Sequence, residues 1–215
     1  MILKKSLLKR LKGIYAIIDP EVCALAENDP LSVAKICLNA GVKIIQLRHK
    51  NAPDDIVLYL AKRFKKECQK HKALFILNDR ADLAVLAGAD GLHLGQKDLP
   101  VREARKIFKG FIGISTHNNK EIMKALKGNV DYIGFGPVFR TNTKKGLPPV
   151  AGLRRLENVV SKVSIPVVAI GGINSTNIKE VYKSGVSCAA VISAICGARK
   201  PITKIKALIT KKEAY

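Results

Sequence analysis

Residues 74–98 read LFILN-DR-ADLAVLAGAD-GLHL-GQKD, and this stretch decides the fold. An apolar run, Leu74–Asn78, meets polar punctuation at Asp79-Arg80. A stretch of helical period follows at Asp82–Ala87, and a second short apolar run, Gly91–Leu94, comes after it. Almost wholly apolar strands are expected where a parallel sheet is buried on both faces. Two such strands joined by a helix make a β-α-β unit.

The same alternation extends in both directions. Upstream it predicts strands at Ile14–Asp19 and Lys43–Arg48. Downstream it predicts strands at Phe111–Ser115, Tyr132–Gly136, Pro166–Ile170 and Cys188–Ser193. Helices are expected between them at Leu31–Ala40, Asp54–Lys70, Val101–Phe108, Lys120–Lys127, Leu153–Lys162 and Thr176–Ser184, with a last one at Ile202–Lys212. Eight units in 215 residues average about 27 residues each, near the lower size limit of a (β/α)8 TIM barrel. A doubly wound open sheet is the competing architecture. Gly134–Gly136 lies inside a strand reading with no third glycine before a helix, so a dinucleotide fingerprint is absent. No linker or low-complexity segment interrupts the pattern, which predicts one α/β domain over residues 1–215. A short helix at 1–12 would lead into it, with Leu3, Leu7, Leu8 and Leu11 as its apolar stripe. A basic helix at 200–215 would end it.

Composition narrows the function classes. Hydrophobic residues make up 47% and charged residues 26%, which excludes disordered, collagen-like and coiled-coil chains. Lys and Arg number 38 against 17 acids, for a net charge of +21. Such an excess attracts polyanions: nucleic acid, anionic membrane or phosphorylated metabolites. Aromatics are only 5% with no Trp, and the cations are spread over every helix, which argues against nucleic acid. The longest apolar run, Val186 to Ala198, is too short to span a bilayer. Five cysteines without metal-ligand spacing point to a reducing cytoplasm. Self-association is left open.

In a barrel the reacting groups collect at the carboxyl ends of the strands. After the second predicted strand, alternation turns Gln46, Arg48 and Lys50 inward, where two converging cations call for an anion. Asp79 and Asp98 follow the third and fourth strands. Two carboxylates beside a cationic pocket suit Mg²⁺ shared with substrate phosphate oxygens. The alternative is that Asp79 pairs with Arg80 and Asp98 caps the helix near Pro100. Ser115 and His117 follow the fifth strand. His117 could shuttle a proton, whereas His93 is read as a hydrogen-bonded inner residue. After the sixth strand, Thr141, Thr143 and Lys144 suit an anionic group on a loop able to close. Gly171-Gly172 and Ile192-Ser193 follow the last two strands, where barrels often bind phosphate through backbone amides. One end of the mouth therefore suits a diphosphate and the other a monophosphate, the pattern of a transferase with diphosphate as leaving group.

Five segments in this order resemble thiamine-phosphate synthase over nearly the whole chain. They are Gln46-Leu47-Arg48-His49-Lys50, Asn78-Asp79-Arg80, Ala89–Asp98, Thr141-Asn142-Thr143-Lys144 and Ala169-Ile170-Gly171-Gly172-Ile173. The resemblance implies that a hydroxymethylpyrimidine diphosphate and a thiazole phosphate are joined through a pyrimidine-methyl cation, with Mg²⁺ as cofactor. Gln46, Arg48, Lys50 and Asn78 would then contact the pyrimidine diphosphate, and Asp79 and Asp98 would hold the metal. Ser115 and Lys144 would bind diphosphate. Thr141, Thr143, Gly172, Ile192 and Ser193 would bind the thiazole phosphate. Arg48, Lys50, Ser115 and Lys144 are the expected catalytic groups, and Leu47, His49 and Asn142 fall within the substrate-binding segments. His49 departs from the acidic residue often found at its place, Asn142 and Lys145 lie in a variable loop, and the basic tail after Arg199 has no assigned role. A thiazole tautomerase using His117 is the related alternative.

Overall fold

The computed structural model of the chain describes residues 10–143, 146 and 148–213. Its eight strands are β1 (Gly13–Ile18), β2 (Ile44–Leu47), β3 (Leu74–Asn78), β4 (Gly91–Leu94), β5 (Phe111–Thr116), β6 (Tyr132–Phe135), β7 (Val167–Ile170) and β8 (Cys188–Val191). They close into one parallel barrel in sequence order, β8 pairing with β1. The fold is a (β/α)8 TIM barrel, and the open-sheet alternative is excluded.

Helices α1 (Pro20–Ala24), α2 (Pro30–Asn39), α3 (Asp54–Lys70), α4 (Ala81–Leu86), α5 (Val101–Ile107), α6 (Asn119–Lys127), α7 (Gly152–Lys162), α8 (Ile178–Lys183), α9 (Ser193–Cys196) and α10 (Pro201–Glu213) accompany the strands. Their starts are chemically marked. Asp19 and Asp29 cap α1 and α2, each followed by proline at the first helical position, and Asn118 caps α6. Two short helices, α1 and α9, were not expected. The last strand stops at Val191, and Ser193 opens α9 instead of ending the strand.

Strand alternation sorts side chains into two apolar layers. One faces the helices and includes Ile45, Leu47, Phe75 and Leu77, with Phe64 of α3 packed against Phe75. The other fills the barrel with Tyr15, Ile17, Ile44, Leu74, Ile76, Phe111 and Tyr132. So narrow a barrel holds these rings only where a neighbouring strand lacks a side chain. A Cβ on Gly113 would come within 2.0 Å of the Tyr132 ring, and one on Gly91 within 2.3 Å of Phe111. Of the helix expected at 1–12, residues 1–9 lie outside the described ones. Arg10 forms a turn, and Leu11 and Lys12 run without helix into β1. Leu11 is 1% exposed and packs with the inner layer, plugging the barrel floor. Two acids brace the same floor: the partly buried Asp90 accepts from Phe75 N–H, and the buried Asp131 accepts from Ile112 N–H while pairing with Arg105. α10 buries Ile205 and Leu208 and packs against α8 and α2, completing the helical ring.

All five cysteines are free and buried. Burial pushes the Cys37 and Cys68 thiols up to about 12. No helix among the described residues is long and apolar enough to cross a membrane.

Candidate active site

The carboxyl ends of the strands surround a cavity of about 940 Å³, its open mouth included. β2 delivers the first side chains. Gln46, 1% exposed, points into the barrel and donates through Nε2 to the Tyr15 hydroxyl at 2.7 Å. Arg48 also lines the cavity, and its guanidinium pairs with Asp19. Lys50 pairs with Asp79 at 2.8 Å.

Asp79 sits where β3 turns out of the barrel, with a positive φ of 63°. That left-handed conformation is one Asp tolerates better than most residues, and it lets Asp79 N–H donate to the His93 carbonyl at 2.8 Å. The Asp79 carboxyl is hydrogen-bonded to Asp98 and pushed up to about 6, first by burial and then by that second acid, with Lys50 opposing. Asp98 also accepts from Gly95 N–H at 2.6 Å. The alternative pairings do not occur: Arg80 binds Asp54 and Asp82, and no side chain caps α5. Two carboxyls forced together in this way are a hard-oxygen pair that a divalent cation would relieve. No group of three or more His, Cys, Asp or Glu side chains suited to a metal occurs among the described residues, so a bound Mg²⁺ would complete its shell from substrate and water.

β4, β5 and β6 add a connected polar wall. His93 Nδ1 lies 2.9 Å from the Tyr132 hydroxyl, and its Nε2 lies 2.9 Å from Ser115 Oγ. Tyr132 meets Tyr15 at 3.0 Å. Burial drives both phenols well above their ordinary range, so they are neutral hydrogen-bonding groups. His117 also lines the cavity and donates from Nδ1 to the Gly136 carbonyl at 2.6 Å.

The far end is built from hydroxyls and backbone. Thr141 and Thr143 hydroxyls lie 3.0 Å apart, and Thr143 donates to Ser193 Oγ at 3.2 Å. Gly172 has a φ of 65°, and a Cβ there would come within 2.5 Å of the Arg140 carbonyl. The β7 turn and the loop after β6 can meet this closely only through glycine.

Gln46, Arg48, Lys50, Asn78, Asp79, Asp98, Ser115, Thr141, Thr143, Gly172, Ile192 and Ser193 therefore line one cavity. Three expected residues do not. The Leu47 side chain is buried on the opposite strand face, against the helices, because alternation sends it away from Gln46 and Arg48. His49 lies outside the cavity wall, its buried Nδ1 without a hydrogen-bond partner among the described residues. Asn142 is exposed in an adjoining groove. Lys144 falls outside the described residues. Sequence reasoning missed Asp19, Tyr15, Tyr132 and the Gly136-Pro137 wall. Alternation along β1 and β6 signals the two tyrosines, which share the inward register of Gln46 and His93.

Comparison with known proteins finds relatives over most of the chain. Residues 14–195 match the family model for thiamine monophosphate synthase. The chain belongs to that family. It is thereby classed as an enzyme, a transferase. The thiamine-phosphate synthase of Lawsonia intracellularis is 43% identical over 188 residues, covering 86% of this chain and 85% of the relative. That of Prochlorococcus marinus is 39% identical over 195 residues, and the match takes in 89% of this chain but only 56% of the longer relative. Among solved structures, thiamine phosphate pyrophosphorylase from Pyrococcus furiosus superposes with a TM-score of 0.87 at 36% identity, covering 97% of this chain and 98% of that one.

Proposed function

We propose that this enzyme joins 4-amino-2-methyl-5-(diphosphooxymethyl)pyrimidine to a thiazole phosphate, yielding thiamine phosphate and diphosphate. One observation carries the reading: a single cavity has a cation–carboxylate cluster at one end and a hydroxyl–glycine pocket at the other. Arg48 and Lys50 would draw the diphosphate, Arg48 through paired N–H groups and Lys50 as a point charge. Asn78 and Ser115 would add hydrogen bonds, and Lys144 further charge. Asp79 and Asp98 would hold Mg²⁺, which supplies neutralisation of diphosphate charge.

The C–O bond to diphosphate breaks with the electron pair leaving on diphosphate, and the thiazole nitrogen captures the pyrimidine-methyl cation. Such a reaction needs charge stabilisation and positioning more than a nucleophile. Thr141, Thr143, Ser193 and the Gly172 turn would hold the thiazole phosphate so that its ring nitrogen faces the cation. Ile17, Ile170 and Ile173 on the wall would keep water from that cation. The net charge of +21 favours the approach of both anionic substrates. We place the reaction in a reducing cytoplasm, which five free thiols suit.

The test is to mix the protein with both substrates and Mg²⁺ and follow thiamine phosphate by chromatography. Product is expected, and it should vanish with chelator and with Asp79→Ala. No product from folded protein would overturn the reading and direct the assay to thiazole tautomerisation, with His117 as the residue to replace.

A further inference from the structure

The short helix α1 stands on β1, between the strand that delivers Arg48 and the strand that leads to Ser193. Its capping residue, Asp19, is 2% exposed and sits behind the cavity wall while Arg48 forms part of that wall. The two oxygens of Asp19 have different tasks. Oδ1 accepts from the N–H groups of Glu21 at 3.0 Å and Val22 at 3.3 Å, capping the helix. Oδ2 takes the Arg48 guanidinium through Nη1. A second tie runs beside the first, Asn51 Nδ2 donating to Glu21 Oε1 at 2.9 Å.

We infer that Asp19 is the positioning residue of the diphosphate end: it holds one edge of the Arg48 guanidinium so that Arg48 meets the diphosphate already aimed. The inference rests on the proposed function and extends it to a residue that does not touch substrate. A long arginine otherwise spends binding energy on being ordered, and holding it in advance removes that cost. The planar fork makes the arrangement workable, because one edge can stay on the carboxylate while other N–H groups serve the anion. A lysine at position 48 would have no second edge.

The division of tasks between the oxygens supplies the test. Asp19→Asn retains one carbonyl oxygen, which can cap α1 or meet Arg48 but not both, and its amide brings N–H donors where acceptors are needed. Asp19→Ser keeps an N-cap oxygen and loses the pairing altogether. Binding of inorganic diphosphate in the presence of Mg²⁺ is measured by calorimetry, together with KM for each substrate. Both variants are expected to bind diphosphate about ten-fold more weakly and to raise KM for the pyrimidine diphosphate, leaving KM for the thiazole phosphate unchanged. In an Arg48→Ala background, Asp19→Ser should cause no further loss. Unchanged diphosphate affinity, equal KM shifts for the two substrates, or loss of fold in both variants would each overturn the inference. A wild type that binds diphosphate and makes thiamine phosphate beside such a result leaves the function standing and removes Asp19's role alone. A wild type that does neither removes both.

Discussion

The two ends of the cavity are built from different kinds of polar group. At the β2–β4 end the groups are charged or titratable side chains: Arg48 against Asp19, Lys50 against Asp79, and Asp79 hydrogen-bonded to Asp98. At the β6–β8 end they are hydroxyls in a row and a glycine turn. Strong charges can follow a substrate whose own charge moves during reaction, as it does when diphosphate leaves. Neutral donors and backbone set a fixed distance and suit a phosphate that only needs holding. Under the proposed function the charged end would serve reaction and the neutral end position.

The largest effect should follow from disabling the reactive end. Arg48→Ala is expected to lower kcat/KM by roughly 10²–10³-fold, with kcat itself reduced. A loss confined to KM would break the comparison, because Arg48 would then only bind. At the neutral end, Gly172→Ala places a Cβ within 2.5 Å of the Arg140 carbonyl at a φ of 65°. It should cost about 1–3 kcal/mol of stability and raise KM for the thiazole phosphate while that for the pyrimidine diphosphate holds. Steady-state kinetics and thermal melts together check it, and equal rises in both KM values would erase the distinction between the ends.

The smallest effect is one of pH. Asp79 is held up at about 6 by burial and by Asp98, above the ordinary carboxylate value. An acid raised in the folded state contributes its stability below the unfolded pKa and loses it as pH rises through the folded one. The wild type without metal should therefore weaken between about pH 4 and pH 7, and Asp79→Asn should remove that decline. The difference between variant and wild type should grow by about 2 kcal/mol from pH 4 to pH 7.5. Chemical denaturation at the two pH values, with chelator present, measures it. A difference that stays constant would mean that the asparagine only relieves backbone strain.

Much of this was legible in the residues. β3, β4 and α3 fall on their expected bounds, because an uninterrupted apolar run and a long amphipathic period are local signals. The inward turn of Gln46 and Arg48 and the outward turn of Leu47 both follow from alternation, so a place within a binding segment does not bring the Leu47 side chain to the cavity. α1 escaped notice because five residues carry too little periodicity to stand out, although Asp19-Pro20 is a helix-start signal. Its strand position marks His93 as an inner hydrogen-bonded residue, but its partners, Tyr132 and Ser115, lie 39 and 22 residues away.

The sequence alone determined which residues stand at strand ends and which face the barrel, since period and punctuation act over a few residues. Only the closed barrel decided which of those ends meet. Lys50 lies 29 positions from Asp79, and Thr143 lies 50 positions from Ser193. No local propensity links such pairs. Closure of eight parallel strands brings them within hydrogen-bonding distance and partly buries Asp79 beside Asp98, and that desolvation beside another acid is what lifts an ordinary carboxyl to about 6.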